Sequence, residues 1–152
     1  MKKAKIIIPL IVIVLSIGFV LFDSANASVE EAINLDASTG STSAIDTVIC
    51  QKEVNDIILC IYETDDGRFG YATVKDSNSL FNRYSICTIG NIDKSSLSNG
   101  KEIIEKYDKQ NVDFTYGIIF NPNSEIYEYD GHSYFLTMCS YSDFNIGIFI
   151  VN

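Results

Sequence analysis

Four cysteines, one histidine and a crowded acidic turn are the residues of this chain whose types could do chemistry. Cys50, Cys60, Cys87 and Cys139 form an even set that allows two disulfides in three connectivities. No CxxC occurs, and with a single His the spacing of a zinc site is not met. Each cysteine sits in an apolar, strand-like run (VIC, ILCIY, SICTI, TMCS), which is equally the setting of a buried, inert thiol. Spacing singles out one candidate disulfide. If Val54-Asn55-Asp56 is a three-residue hairpin loop, Glu53 faces Ile57 and Cys50 faces Cys60. Directly opposed Cβ atoms lie about 4.5–5.5 Å apart, close to disulfide reach. A two-residue loop shifts the register and removes the pair. A bridge between Cys87 and Cys139 would close a loop of about fifty residues and constrain the unfolded chain more.

His132 follows Asp130-Gly131 at a turn before a strand. Its neighbour Ser133 cannot face it along a strand, so a nucleophile and base pair is not formed there, and an exposed turn histidine is expected. Glu63, Asp65 and Asp66 crowd the turn at Gly67, but the spacing fails that of an EF-hand loop, and a solvated turn is expected. Gly67, Gly70 and Gly90 build neither GxGxxG nor a P-loop. Phe69, Tyr71, Phe114, Tyr116, Tyr127, Tyr129, Tyr134 and Phe149 alternate along strands. Sugar- and peptide-binding faces use such tyrosines, but cross-strand packing is the commoner use. No catalytic, cofactor-binding or metal-binding residue is assigned.

The N-terminus sets the compartment. Lys2, Lys3 and Lys5 precede an uncharged run from Ile6 to Phe22, and Ala25-Asn26-Ala27 follows. A basic start, an apolar stretch and a small-x-small end are the parts of a secretory signal, with cleavage read at Ala25 and Ala27. The run also reaches the short edge of a membrane span, so residues 1–27 are a signal peptide or an N-terminal membrane anchor. The lysines would then stay cytoplasmic. Either way, residues 28–152 are expected outside, secreted or on the extracytoplasmic face of the cell membrane. The membrane is met only through residues 6–22, if uncleaved. No cysteine precedes Cys50, so there is no lipobox.

Without residues 1–27 the chain loses three Lys and one Asp, leaving 8 basic and 19 acidic side chains and a net charge of −11. Such a domain is repelled by anionic polymers and is not built to bind nucleic acid non-specifically.

The elements that must position these residues are mostly strands. Ser28 caps a short helix over SVEEAI, with Glu31 three residues on and Val29, Ala32 and Ile33 on one face. Residues 37–43 are small and polar and read as a flexible connection, which divides 28–44 from a single β-rich domain over 45–152. Strands are expected over 47–53, 56–63, 69–75 and 84–89, as an antiparallel meander. A second short helix is expected over Lys101 to Tyr107 (KEIIEKY). Strands return over 112–120, 125–129, 134–140 and 146–151, with turns at Asn121-Pro122-Asn123-Ser124 and Asp130-Gly131. The fold class is α+β, predominantly antiparallel β: about eight short strands in a meander or sandwich, with two short helices.

The runs IDTVICQKEVNDIILCIYETDDGRFGYATVKDS and DFTYGIIFNPNSEIYEYDG carry a resemblance. Residues 28–130 resemble small exported or membrane-anchored proteins of spore-forming, Gram-positive bacteria. The shared features are SVEEAI after the signal, KEVNDIILCIY, YATVKDS and Tyr116-Gly117-Ile118-Ile119-Phe120-Asn121-Pro122. They are strand-and-turn patterns. The resemblance implies export but no catalytic residue.

The expected function is an exported, extracytoplasmic, non-enzymatic binding or interaction domain without a cofactor. Its partner would be a protein or a cell-envelope component. The alternative is a secreted hydrolase or enzyme inhibitor whose site is assembled from scattered Asp, Glu and Tyr, since paired carboxylates need no local spacing.

Overall fold

The computed structural model describes residues 28–40, 42–77, 84–97, 100–109 and 112–151. They form one helix, a short 3-10 turn at Lys94–Ser96 and ten strands in three sheets. The predominantly antiparallel β, α+β class expected from the sequence is what the chain adopts.

Helix α1 spans Val29–Ser38, and its N-cap Ser28 accepts a hydrogen bond from the Glu31 N–H at 3.1 Å. Its buried residues are Val29, Ala32 and Ile33, the expected face. Sheet A is the meander β1 (Ile45–Val54), β2 (Ile57–Thr64), β3 (Phe69–Asp76) and β4 (Tyr84–Ile92). Sheet B has the order β5-β6-β10-β9, from β5 (Glu102–Lys109), β6 (Val112–Phe120), β9 (Thr137–Tyr141) and β10 (Phe144–Val151). A two-stranded hairpin joins β7 (Ile126–Tyr129) to β8 (His132–Phe135).

These elements stack in four layers: α1, sheet A, sheet B and the hairpin. Alternation along the strands makes the layers. Ile57, Leu59 and Ile61 of β2 face Phe114, Tyr116, Ile118 and Ile148 of sheet B. The intervening Ile58, Cys60 and Tyr62 face Val29 and Ile33 of α1. Phe149 and Ile119 point the other way, under Tyr127, Tyr129 and Tyr134 of the hairpin. The central strands are therefore buried on both faces and lose the polar alternation of a one-sided sheet. The ring stack of Tyr134 on Phe149, centroids 5.3 Å apart, fixes the outer layer.

Three sequence expectations need correction. Residues 101–107 are not helical; residues 102–109 are strand β5. The face of Ile103, Glu105 and Tyr107 turns inward, and Glu105 is accommodated there by tyrosine hydroxyls. The expected strand over 134–140 is broken at Leu136. Phe135 ends the hairpin layer and Thr137 begins sheet B, so the chain changes layer at that residue. The Cys50–Cys60 pairing is replaced by a Cys50–Cys139 disulfide. The β1–β2 loop has two residues, Asn55-Asp56, with Asn55 at φ 57°. The register therefore sets Gln51 against Cys60 and Cys50 against Ile61. Cys50 faces sheet B, and Cys60 faces α1.

Of the connection after α1, residues 42–44 make defined contacts. Ser43 donates to Asp66 at 2.9 Å, and the Ala44 carbonyl accepts from the Asp65 N–H at 3.0 Å. Residues 1–27, with the signal or anchor and the cleavage positions Ala25 and Ala27, lie outside the described residues. Among the described residues no helix is long and apolar enough to cross a membrane.

Candidate functional site

The two sheets are joined along both sides. On the β1/β9 side the Cys50–Cys139 bond spans Cα atoms 6.0 Å apart and links positions 89 residues apart in sequence. Beside it, Glu63 of β2 accepts hydrogen bonds from Lys94 and from the Tyr141 hydroxyl of β9. Lys94, then Tyr141, holds the Glu63 carboxyl below its ordinary pKa.

On the β4/β5 side a chain of hydroxyls ends on Glu105. Thr73 and Thr88 hydroxyls are 2.6 Å apart, and Thr88 and Tyr116 hydroxyls 3.0 Å apart. Tyr116 donates to one Glu105 oxygen, and Tyr71 donates to the other at 3.2 Å. Burial pushes the Tyr71 hydroxyl up to about 12 and that of Tyr116 higher still. Both tyrosines therefore stay protonated as donors at neutral pH. These are the places where scattered Asp, Glu and Tyr converge. In each, a carboxylate of one sheet is engaged by a tyrosine of the other, which makes a brace between sheets.

The acidic turn resolves the same way. Asp66 accepts from Arg68 Nε at 2.9 Å, from the Thr64 hydroxyl at 2.6 Å and from Ser43, and these bonds hold its carboxyl well below the usual range. Glu63 turns instead to Lys94. Among the described residues no three His, Cys, Asp or Glu are grouped to hold a metal ion.

The remaining cysteines are thiols. Cys60 is buried beneath α1, accepts a hydrogen bond from Gln51 at 3.7 Å, and is pushed up to about 12 by its burial. Cys87 hydrogen-bonds Tyr107. It is the extra residue of a bulge in edge strand β4, between Ile86 and Thr88, which pair with Val74 and Thr73. His132 is exposed and pairs with Tyr129 at the start of β8.

The exposed large apolar side chains among the described residues are Leu35 on α1, Met138 on β9, and Ile126 and Phe135, which stand opposite each other on the hairpin. Asp130 (φ 50°) and Gly131 (φ 74°) form a two-residue turn of the primed kind, so Tyr129 pairs with His132 and Ile126 with Phe135. The pairs then alternate: Tyr127 and Tyr134 face Phe149, while Ile126 and Phe135 face solvent. Phe135 is 77% exposed and Ile126 47%. Beside Ile126 a cleft of about 190 Å³ opens between the hairpin and β5–β6, lined by Glu102, Ile119, Pro122, Ser124 and Tyr127. Tyr127 donates to Glu102 across it at 2.6 Å. A larger groove of about 370 Å³ runs between α1 and β4, with exposed Leu35 on its rim. The candidate site was missed in the sequence, where 125–129 and 134–140 read as ordinary strands. The available signal was EIYEYDGHSYF, a hairpin with tyrosines on one face and Ile and Phe on the other.

Fold and site together define a small β-sandwich, closed by one disulfide and two carboxylate–tyrosine braces, that presents an apolar pair on an outer hairpin. Residues 1–88, more than half of the chain, match a family of unknown function (DUF6520), and the chain belongs to that family. The match takes in α1, β1–β3 and the first half of β4. Sheet B and the hairpin fall after it. No curated protein and no solved structure matches the chain.

Proposed function

We propose that the chain is an exported domain, secreted or held on the extracytoplasmic face of the membrane, that works by binding a protein or envelope component and not by catalysis. The observation that carries the binding part is the Ile126–Phe135 pair, two large apolar side chains turned to solvent on a layer whose other face packs on Phe149. Export is supported by the Lys-rich, apolar N-terminus and by a disulfide between Cys50 and Cys139, a bond that persists in oxidising compartments. The braces at Glu63 and Glu105 support a structural use of the acidic and tyrosine residues.

The test is a photo-reactive side chain placed at position 135 in the full chain, on intact cells of its own source. A discrete adduct from position 135, absent from the exposed control position Thr47, is expected. Equal labelling at both positions, or adducts only with cytoplasmic proteins, would contradict the proposal.

A further inference from the structure

The hairpin is acidic as well as apolar. From Pro122 to Leu136 the chain has no Lys or Arg, while Glu125 and Glu128 are exposed beside Ile126 and Phe135, and Asp130 is exposed at the turn end of the hairpin. Glu128 pairs with Ser133 and lies on the same outward face as the apolar pair, since alternate residues share a face. The outward surface is thus an apolar centre with a carboxylate rim.

Two facts narrow what can cover it. Charge is the first: with a net charge of −11 over residues 28–152, the domain repels a second copy of itself and anionic lipid, and attracts cations. Position is the second. The described chain begins at Ser28, the N-cap of α1, the layer on the far side of sheet A. Three layer spacings of about 10 Å separate that layer from the hairpin. An anchored chain therefore presents Ile126 and Phe135 on the face opposite its point of attachment.

We infer that the outward face of the β7–β8 hairpin docks a second protein whose contact surface is apolar at its centre and basic at its rim. This rests on the proposal that the chain is an exported binding domain, and it names the chemistry of the partner. Phe135 is the anchor, entering an apolar pocket, and Ile126 flanks it. Glu125 and Glu128 meet Lys or Arg at the edge and speed the encounter.

The experiment uses protein recovered from the outside of cells expressing the full chain. The probes are a labelled ten-residue peptide of alternating Lys and Leu, its Glu/Leu counterpart, and vesicles of phosphatidylglycerol with phosphatidylcholine. The Lys/Leu peptide binds, and Phe135→Ser weakens it about tenfold, as expected for an anchor residue. Glu128→Lys weakens it too, and Leu35→Ser on the α1 side changes it by less than about twofold. Unchanged binding in Phe135→Ser, no binding, equal binding of the Glu/Leu peptide, preference for the vesicles, or a Phe135-dependent dimer in sedimentation overturns the inference. Recovery on the cell exterior is scored separately, so a protein that is exported but fails these tests loses the inference and keeps the export reading.

Discussion

The ring of Tyr62 fills the space that a Cβ would need at Gly70, its direct partner across the β2–β3 ladder. The same arrangement recurs at Tyr71 over Gly90 and at Phe149 over Gly117. Each glycine lies beneath an aromatic ring of its neighbour strand, which lets the ring lie against the sheet where a side chain would push it off. Gly70→Ala and Gly117→Ala are therefore expected to destabilise by about 1–3 kcal/mol each, the usual cost of overpacking. Urea unfolding of the two variants checks this. Wild-type midpoints would contradict it.

Tyr62 and Tyr116 are both fully buried, but only one hydroxyl has a partner. Tyr116 donates to Glu105, whereas the Tyr62 hydroxyl has none. Tyr62→Phe removes an orphan polar atom and should be neutral or stabilising. Tyr116→Phe leaves Glu105 short of a donor and should cost about 1.5–3 kcal/mol, the range for a hydrogen bond to a charged group. Equal effects from the two substitutions would mean that the Tyr116–Glu105 hydrogen bond, made between neighbouring strands of sheet B beside the Tyr71 brace, carries no stability.

Alkaline pH should open the sandwich. Burial pushes Tyr71 up to about 12, and Tyr127, first buried and then bonded to Glu102, also up to about 12. Unfolded tyrosines titrate near pH ~10. A raised folded pKa gives stability that is complete below the unfolded value and is lost as pH rises through the folded one. Circular dichroism and tyrosinate absorbance, followed together, should show unfolding and ionisation coinciding between pH about 10 and about 12. Ionisation of Tyr71 and Tyr127 near pH ~10 within an intact fold, read as the difference between wild type and the Tyr71→Phe, Tyr127→Phe double variant, would contradict this.

The disulfide closes a long loop. Its cysteines stand 89 residues apart, and chain entropy assigns such a bridge about 4.6 kcal/mol of stability. The double variant Cys50→Ala, Cys139→Ala should unfold at correspondingly lower urea, by an amount close to that of adding reductant to the wild type. A loss under about 1 kcal/mol would show that the unfolded chain is already restrained at this point.

Most strands were legible because their residues are β-branched and aromatic and the turns carry Asn, Asp and Gly. What was not legible depended on partners distant in sequence. KEIIEKY has the spacing of a short helix, and only Tyr71 and Tyr116, 34 and 11 residues from Glu105, make an inward Glu tolerable in a strand. The disulfide turned on a single residue of loop length at Asn55-Asp56, which takes Cys50 and Cys60 out of opposition and leaves them on opposite faces of sheet A. The hairpin site was hidden for another reason. Its alternation is ordinary, and only its place as an outer layer over Phe149 leaves Phe135 uncovered.

A non-reducing peptide map of protein shaved from intact cells expressing the full chain tests the Cys50–Cys139 link and the proposed export together. The expected result is a linked peptide pair joining Cys50 to Cys139. Cys60 should be alkylated only after denaturation, because it lies buried beneath α1. A chain found only in the cytoplasm, with all four thiols open to alkylation, would contradict both the disulfide-closed sandwich and the proposed export.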